Sequence, residues 1–158
     1  MILAAFRPDS ADLPLLLHVA GALLLVGAMV AATACLLLAW RARDPGDTAG
    51  LTRLGWRTIL YGVLPSFILM RGAGQWVASE EGLDGEDVSL DWLDIGFLVG
   101  DGGLLLLVIT MILVGITARR QGRTPGRLGI GGRIGTVLAV ILLAALLLAV
   151  WAMSAKPI

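Results

Sequence analysis

The chain has 158 residues, of which 58% are apolar and 15% charged, and its mean hydropathy is +0.89. This composition excludes an ordinary soluble domain and is typical of a membrane protein. Twelve basic and twelve acidic residues cancel, so the net charge indicates no nucleic-acid partner, and the single cysteine, Cys35, excludes an internal disulfide.

Four apolar stretches are long enough to cross a bilayer core, which takes about 20 helical residues. They are residues 13–40, 54–78, 92–118 and 130–153. The leader before the first stretch is acidic, and the apolar run exceeds that of a signal peptide, so we expect this helix to be retained. The sequence therefore predicts an all-α fold: a polytopic four-helix bundle that forms a single membrane domain over residues 1–158.

Charge is distributed unevenly among the predicted connections. Residues 80–91 carry six acidic side chains and no basic one, whereas the connections on either side of this hairpin are rich in arginine. The arginines are Arg41, Arg43, Arg53 and Arg57 in the first connection and Arg119, Arg120, Arg123, Arg127 and Arg133 in the last. Basic connections stay in the cytoplasm. We therefore expect a multi-pass protein of the plasma (inner) membrane, with both termini outside the cytoplasm (N-out/C-out).

Small residues predict where the helices pack. Helices in lipid associate where small side chains allow close backbone approach. Three predicted helices carry such residues four positions apart: Gly27 and Ala31, Gly96 and Gly100, and Gly131 and Gly135. We expect these pairs to lie at helix contacts.

Pro65 falls within the second predicted helix. A proline there removes one backbone donor, and its ring displaces the carbonyl of the residue four positions earlier, here Tyr61. The sequence predicts a kink in this helix near Tyr61 to Pro65.

Three ionisable residues lie inside the predicted spans, all in the outer half. Counted at about 1.5 Å per residue, His18 lies roughly 8 Å from the outer end of its helix, Arg71 roughly 10 Å and Asp101 roughly 13 Å. Because Asp101 also needs a compensating cation at this depth, we expect Arg71 to pair with it. Gln75 and Asp94 share the helix faces of these two residues and complete a predicted polar cluster with His18.

Two other roles for these residues remain open. Arg71 has a side chain long enough to reach the outer headgroups instead. The Arg71–Asp101 pair could also serve only to fix the register of two helices, with His18 bonded to a nearby carbonyl.

The polar cluster predicts a function, because ionisable groups inside a membrane by default mark proton, ion or substrate pathways. We expect a protein that passes or senses a proton or small cation, as a homo-oligomer or within a larger membrane complex. An accessory subunit without chemistry of its own is the alternative. The residues predict no enzyme activity, metal site or cofactor, since no nucleophile–histidine grouping or metal-ligand spacing is present.

Three motifs carry a resemblance to known proteins. LPLLLHVAGALLLVGAMVAA, PSFILMRGAGQW and DWLDIGFLVGDGG resemble small bacterial integral membrane proteins of uncharacterised function. The first motif is also similar to copper-resistance D proteins and HemJ-type protoporphyrinogen oxidases, which have an intramembrane histidine. That resemblance implies a haem-binding redox protein with His18 as an axial ligand. The chain departs from a bis-histidine site because it has no second histidine, which leaves a methionine or an open position.

Overall fold

A computed structural model describes residues 12–80 and 91–154, and the side chains of residues 12–80 and 100–152. The described residues form helices joined by short connections: α1 (Asp12–Arg41), α2 (Pro45–Thr58), α3 (Leu64–Glu80), α4 (Asp91–Arg123) and α5 (Ile130–Ser154). A π-helical turn, Ile59–Val63, joins α2 to α3 without a break. The predicted all-helical class is confirmed for this part of the chain.

Three helical segments are long and apolar enough to cross a membrane: Asp12–Arg41, Gly100–Arg123 and Ile130–Ala152. The outside of the molecule is apolar as well, since side chains such as Leu23 and Ile130 are 71% and 77% exposed. Apolar surface of this kind is energetically favourable in contact with lipid and unfavourable in contact with water. The chain is therefore a membrane protein whose described residues are all-helical.

The first connection is much shorter than the sequence predicted. Only residues 42–44 separate α1 from α2, so the prediction of a loop up to Arg57 is wrong. Asp44 starts α2 because its carboxylate accepts hydrogen bonds from the backbone of Gly46 (2.8 Å) and Asp47 (3.0 Å). Pro45 at the first helical position needs no donor there. The Asp-Pro pair was the signal for this helix start, and the low hydropathy of α2 concealed it.

The segment before Pro65, where the sequence predicts a kink, contains the π-helical turn. The Leu64 N–H donates to the Ile59 carbonyl, five residues back instead of four. Such a turn inserts one extra residue into the helix and changes which carbonyls need a donor. The π-helical turn ends two residues before Pro65. The hydrogen bond that proline cannot donate would go to the carbonyl of Tyr61, which lies inside this turn, where the α-helical pattern is already interrupted.

α1 runs antiparallel to the rod formed by α2, the π-helical turn and α3. Leu36, near the end of α1, contacts α2 at Gly55, whereas Gly21, near its start, faces Met70 of α3. A Cβ added at Gly21 would lie 2.8 Å from the Met70 backbone nitrogen, so the two backbones meet at this glycine. Close approach of this kind is a common way for membrane helices to associate.

α5 packs antiparallel on α4. A Cβ added at Gly135 would lie 2.8 Å from a methyl group of Val114, and one at Gly131 would lie 3.7 Å from Thr117 Oγ1. Both glycines therefore lie against α4, where the sequence predicted a helix contact. Farther along, Leu142 reaches Gly103 of α4.

The Gly27 and Ala31 prediction is wrong for contacts within this chain. Both residues are exposed, and a Cβ added at Gly27 would meet nothing within 4 Å. The packed face of α1 is another one, which carries Gly21, Leu25 and Met29. Small residues four apart occur on more than one face of α1, and the larger apolar side chains determine which face enters the bundle.

The core is apolar and contains residues from α1, the π-helical turn, α3, α4 and α5, while α2 contributes the partly buried Trp56 at its edge. Its members are Leu25, Met29, Ala32, Leu36, Ile59, Val63, Phe67, Leu107, Val114, Ala139, Leu142 and Leu146. Buried threonines such as Thr52, Thr110 and Thr136 donate their hydroxyl hydrogen to the carbonyl four residues earlier. Their polar groups are satisfied inside their own helix, so they need no water in the core.

Candidate functional site

An ion pair joins α3 to α4. Arg71 Nη2 donates to Asp101 Oδ1 at 2.7 Å, with 26% of the arginine side chain and 72% of the aspartate side chain exposed. The guanidinium lies over Gly100, where an added Cβ would be 3.5 Å from Arg71 Nε. Gly100 thus brings the arginine close to the α4 backbone, one residue before the carboxylate. The predicted contact is present, and its position inside a membrane stays a prediction.

His18 joins α1 to the same part of α3. Its Nδ1 lies 2.8 Å from the Met70 carbonyl oxygen, and Met70 directly precedes Arg71. Because a carbonyl can only accept, Nδ1 carries the hydrogen in this contact. The other ring nitrogen, Nε2, is then the atom that can take up a proton or bind a metal ion.

Two glycines hold the histidine in this position. A Cβ added at Gly74 would lie 2.8 Å from His18 Nδ1, and the Gly21 backbone lies against Met70. Sequence reasoning missed both glycines as site residues. The available signal was their spacing, since each lies three residues, nearly one helical turn, after a polar residue of the site: Gly21 after His18 and Gly74 after Arg71.

The other two predicted members do not extend this set. Gln75 is exposed and makes no hydrogen bond to the described residues. Asp94 lies in α4, but its side chain is outside the part of the chain whose side chains are described, and so are the surroundings of Gly96. The site that the structure brings together therefore consists of His18, Arg71 and Asp101, with α3 between the other two helices.

The described interior does not continue this polar region toward the opposite end of the bundle. The buried layers beyond Arg71 are formed by apolar side chains, among them Leu25, Phe67, Leu107 and Leu142. A hydrated path for ions needs polar groups or water along its length. The site is thus a polar region at one end of a largely apolar core, in which the buried polar side chains of the described residues are threonines and Gln121.

The chain offers few ligands for a metal or haem. Among the described residues, no three His, Cys, Asp or Glu side chains come together. Two cavities occur at the arginine-rich end, and His18 lines neither. His18 fits a haem iron, because the Nδ1–H bond to a carbonyl orients the ring as it does in many ligand histidines.

In comparisons with protein-family models, curated proteins and solved structures, no match to the chain was found. The resemblance of its motifs to small bacterial membrane proteins, and of its first helix to the haem-associated groups, stays a prediction.

Proposed function

We propose that the chain crosses the inner membrane four times, with both termini outside. The second crossing is the unbroken helical rod from Pro45 to Glu80, whose α-helical parts are 14 and 17 residues long on either side of the π-helical turn. The arginine-rich end supports this orientation, since basic connections remain in the cytoplasm.

The protein's proposed function is to sense a proton or small cation at the outer polar site. The observation that carries this proposal is the Arg71–Asp101 ion pair, whose carboxylate is 72% exposed while the arginine is largely covered. A proton that binds the Asp101 carboxylate removes its charge, and a small cation competes with Arg71 for it. Either event weakens the contact that joins α3 to α4.

Sensing is favoured over passage of ions because the interior beyond the Arg71–Asp101 pair is apolar. The interior next to the site is apolar, and the hydroxyl of Thr110, which is buried beyond Asp101 on α4, is bonded within its own helix. A chain of this kind can change the spacing of α3 and α4 without opening a path for ions.

The test is the distance between α3 and α4 in lipid nanodiscs. Spin labels are placed at the exposed positions Ile68→Cys and Leu105→Cys, with Cys35→Ser to remove the native thiol. We expect acidification or added sodium to shift the distance distribution, and Asp101→Asn to abolish that shift. The matched control is Asp47→Asn at the opposite end of the bundle, which should respond as the wild type does.

Two results would contradict the sensing proposal. An identical response in Asp101→Asn would assign the change to other groups. Ion flux through liposomes that the wild type supports and Asp101→Asn lacks would indicate passage through the site.

A haem-binding redox protein is the second candidate, and the His18 hydrogen bond favours it. Because the Met70 carbonyl holds Nδ1–H, Nε2 remains available to an axial metal. Protein expressed with added haem should then show an absorption spectrum that shifts on reduction and disappears in His18→Ala. A colourless wild-type protein would remove this candidate.

Self-association is proposed for the exposed small-residue face of α1. A Cβ added at Gly27 would meet nothing within 4 Å and Ala31 is exposed, so these two residues offer a surface on which a second copy can approach closely. An accessory subunit of a larger complex would instead co-purify with a different partner in fixed proportion.

A further inference from the structure

A cavity of about 350 Å³ opens between α2 and α4, at the opposite end of the helices from His18. Four of its lining residues are arginines: Arg53 and Arg57 from α2, and Arg119 and Arg123 from α4. Of the residues that the structure describes, no acidic one lines it. The cavity is therefore strongly positive for its size.

The four arginines form two facing pairs. Within each helix the two residues are four positions apart, so their side chains leave the same helix face. Like charges at this spacing repel each other. None of the four guanidinium groups has a carboxylate partner among the described residues. An anion between the helices would offset this repulsion and satisfy several N–H donors at once.

The other walls of the cavity are apolar, apart from one hydrogen-bond donor, the Nε1–H of Trp56. The Trp56 ring lies on the α4 backbone, where a Cβ added at Gly115 would be 2.7 Å from its Nε1. That Nε1 makes no hydrogen bond to the described residues. Gly122 keeps the mouth open, since a Cβ there would lie 3.2 Å from Arg53 Nη2.

We propose that this cavity binds the phosphate headgroup of an anionic phospholipid. Guanidinium groups match phosphate oxygens in pairs, and basic cavities between membrane helices are suited to such headgroups. A lipid fits better than free phosphate because exposed apolar side chains adjoin the cavity: Leu54 follows Arg53 on α2 and is 53% exposed, and Ile112, one helical turn before the Gly115 that contacts Trp56, is 51% exposed. The acyl chains lie along this surface below Trp56. The inference does not depend on the function of the His18–Arg71–Asp101 site.

The test measures the melting temperature of the full chain in a neutral detergent, followed by circular dichroism. Three additions are compared at equal concentration: phosphatidylglycerol, phosphatidylcholine with the same acyl chains, and inorganic phosphate. We expect phosphatidylglycerol to raise the melting temperature by several degrees more than the other two. Arg57→Gln with Arg119→Gln should lose at least half of that shift.

A matched control distinguishes binding in the cavity from a general effect of the positive charge at this end of the molecule. Arg41→Gln with Arg43→Gln removes two exposed arginines at the same end that do not line the cavity, and it should keep the full shift. Gly122→Leu keeps all four arginines but fills the mouth, and it should lose the shift. This variant also serves if the double arginine variant does not fold.

Three outcomes would overturn the proposal. An equal shift with inorganic phosphate would make the cavity a site for soluble anions. An equal loss of the shift in the Arg41 and Arg43 control would assign the effect to diffuse charge. A full shift in Gly122→Leu would place the lipid elsewhere.

Discussion

At the scale of single residues, the ion pair of Arg71 and Asp101 depends on mutual compensation. Arg71→Ala leaves the Asp101 carboxylate without its cation next to lipid, whereas the further change Asp101→Ala removes that charge as well. We expect the single variant to be less stable than the double variant by about 1–3 kcal/mol, since a charge in a membrane costs about 2.5–3.5 kcal/mol at the centre of a helix and less toward its end.

Unfolding in mixed micelles by increasing denaturing detergent measures both variants and the wild type. A double variant that is less stable than Arg71→Ala would show that the two side chains contribute separately, and the ion pair would lose its role.

The position of His18 depends on a glycine that faces it. A Cβ at Gly74 would lie 2.8 Å from His18 Nδ1, which is closer than side-chain carbons pack. Gly74→Ala should displace the ring, break its hydrogen bond to Met70 and cost about 1–3 kcal/mol through overpacking. Gly72→Ala, at a position with nothing within 4 Å, should be neutral or slightly stabilising because alanine favours helix.

The nitrogen resonances of the His18 ring report this displacement, because the hydrogen bond at Nδ1 changes their shifts. An unchanged spectrum in Gly74→Ala would mean that the helices separate freely at this point.

The residues of the site were predictable only in part. Charge and depth were sufficient to pair Arg71 with Asp101 and to place His18 at the same level, because an ionisable group in lipid needs a partner. The sequence could not assign the Met70 carbonyl as the partner of His18, since every residue offers a carbonyl. It also could not show that Gln75 faces outward, because sharing a helix face with Arg71 does not determine the rotamer.

At the scale of helices, the start of α2 depends on one side chain. Asp44 accepts two backbone hydrogen bonds at 2.8 and 3.0 Å, so Asp44→Ala should cost about 1 kcal/mol of stability and fray the first turn. Asp47→Ala removes an acidic residue from the same turn without those bonds and should cost less.

Amide hydrogen exchange at Gly46 and Asp47 measures the fraying directly. Equal exchange in the wild type and Asp44→Ala would show that packing of α2 on α1, and not the cap, fixes the helix start.

Helix existence was easier to predict than helix limits. The long apolar runs of α1 and α5 gave their ends to within one residue of the observed ones. α2 was missed because its polar residues do not form an apolar run, although the helix packs on α1 and α4. α4 continues to Arg123, beyond the predicted end at residue 118, since arginine is a good helix former outside the membrane as well.

At the scale of the whole molecule, the exposed face of α1 predicts association. Gly27→Leu would place a large side chain on the surface where a second copy can approach closely. We expect this variant to shift the protein toward the monomer in light scattering of detergent complexes, by about 1–2 kcal/mol, which is roughly 5- to 30-fold in the association constant. Gly72→Leu is the control. That glycine is equally open, but the residue four positions later is the large Trp76 instead of a small residue such as Ala31, so this face does not favour close approach of a second helix.

A monomeric wild-type protein, or equal association in both variants, would contradict this use of the α1 face. The sequence predicted Gly27 and Ala31 as a contact surface but could not distinguish a partner within the chain from a second copy, since both need the same small residues.

In the proposed sensing mechanism, Asp101 takes up a proton or cation and thereby releases Arg71. Infrared difference spectroscopy of the protein in membranes, recorded during acidification, measures the carboxyl group itself. We predict a protonated-carboxyl band that is present in the wild type, absent in Asp101→Asn, and has the same pH midpoint as the change in the α3–α4 distance. An α3–α4 distance that changes while Asp101 remains ionised, or an Asp101 that takes up a proton without any change in that distance, would contradict the account.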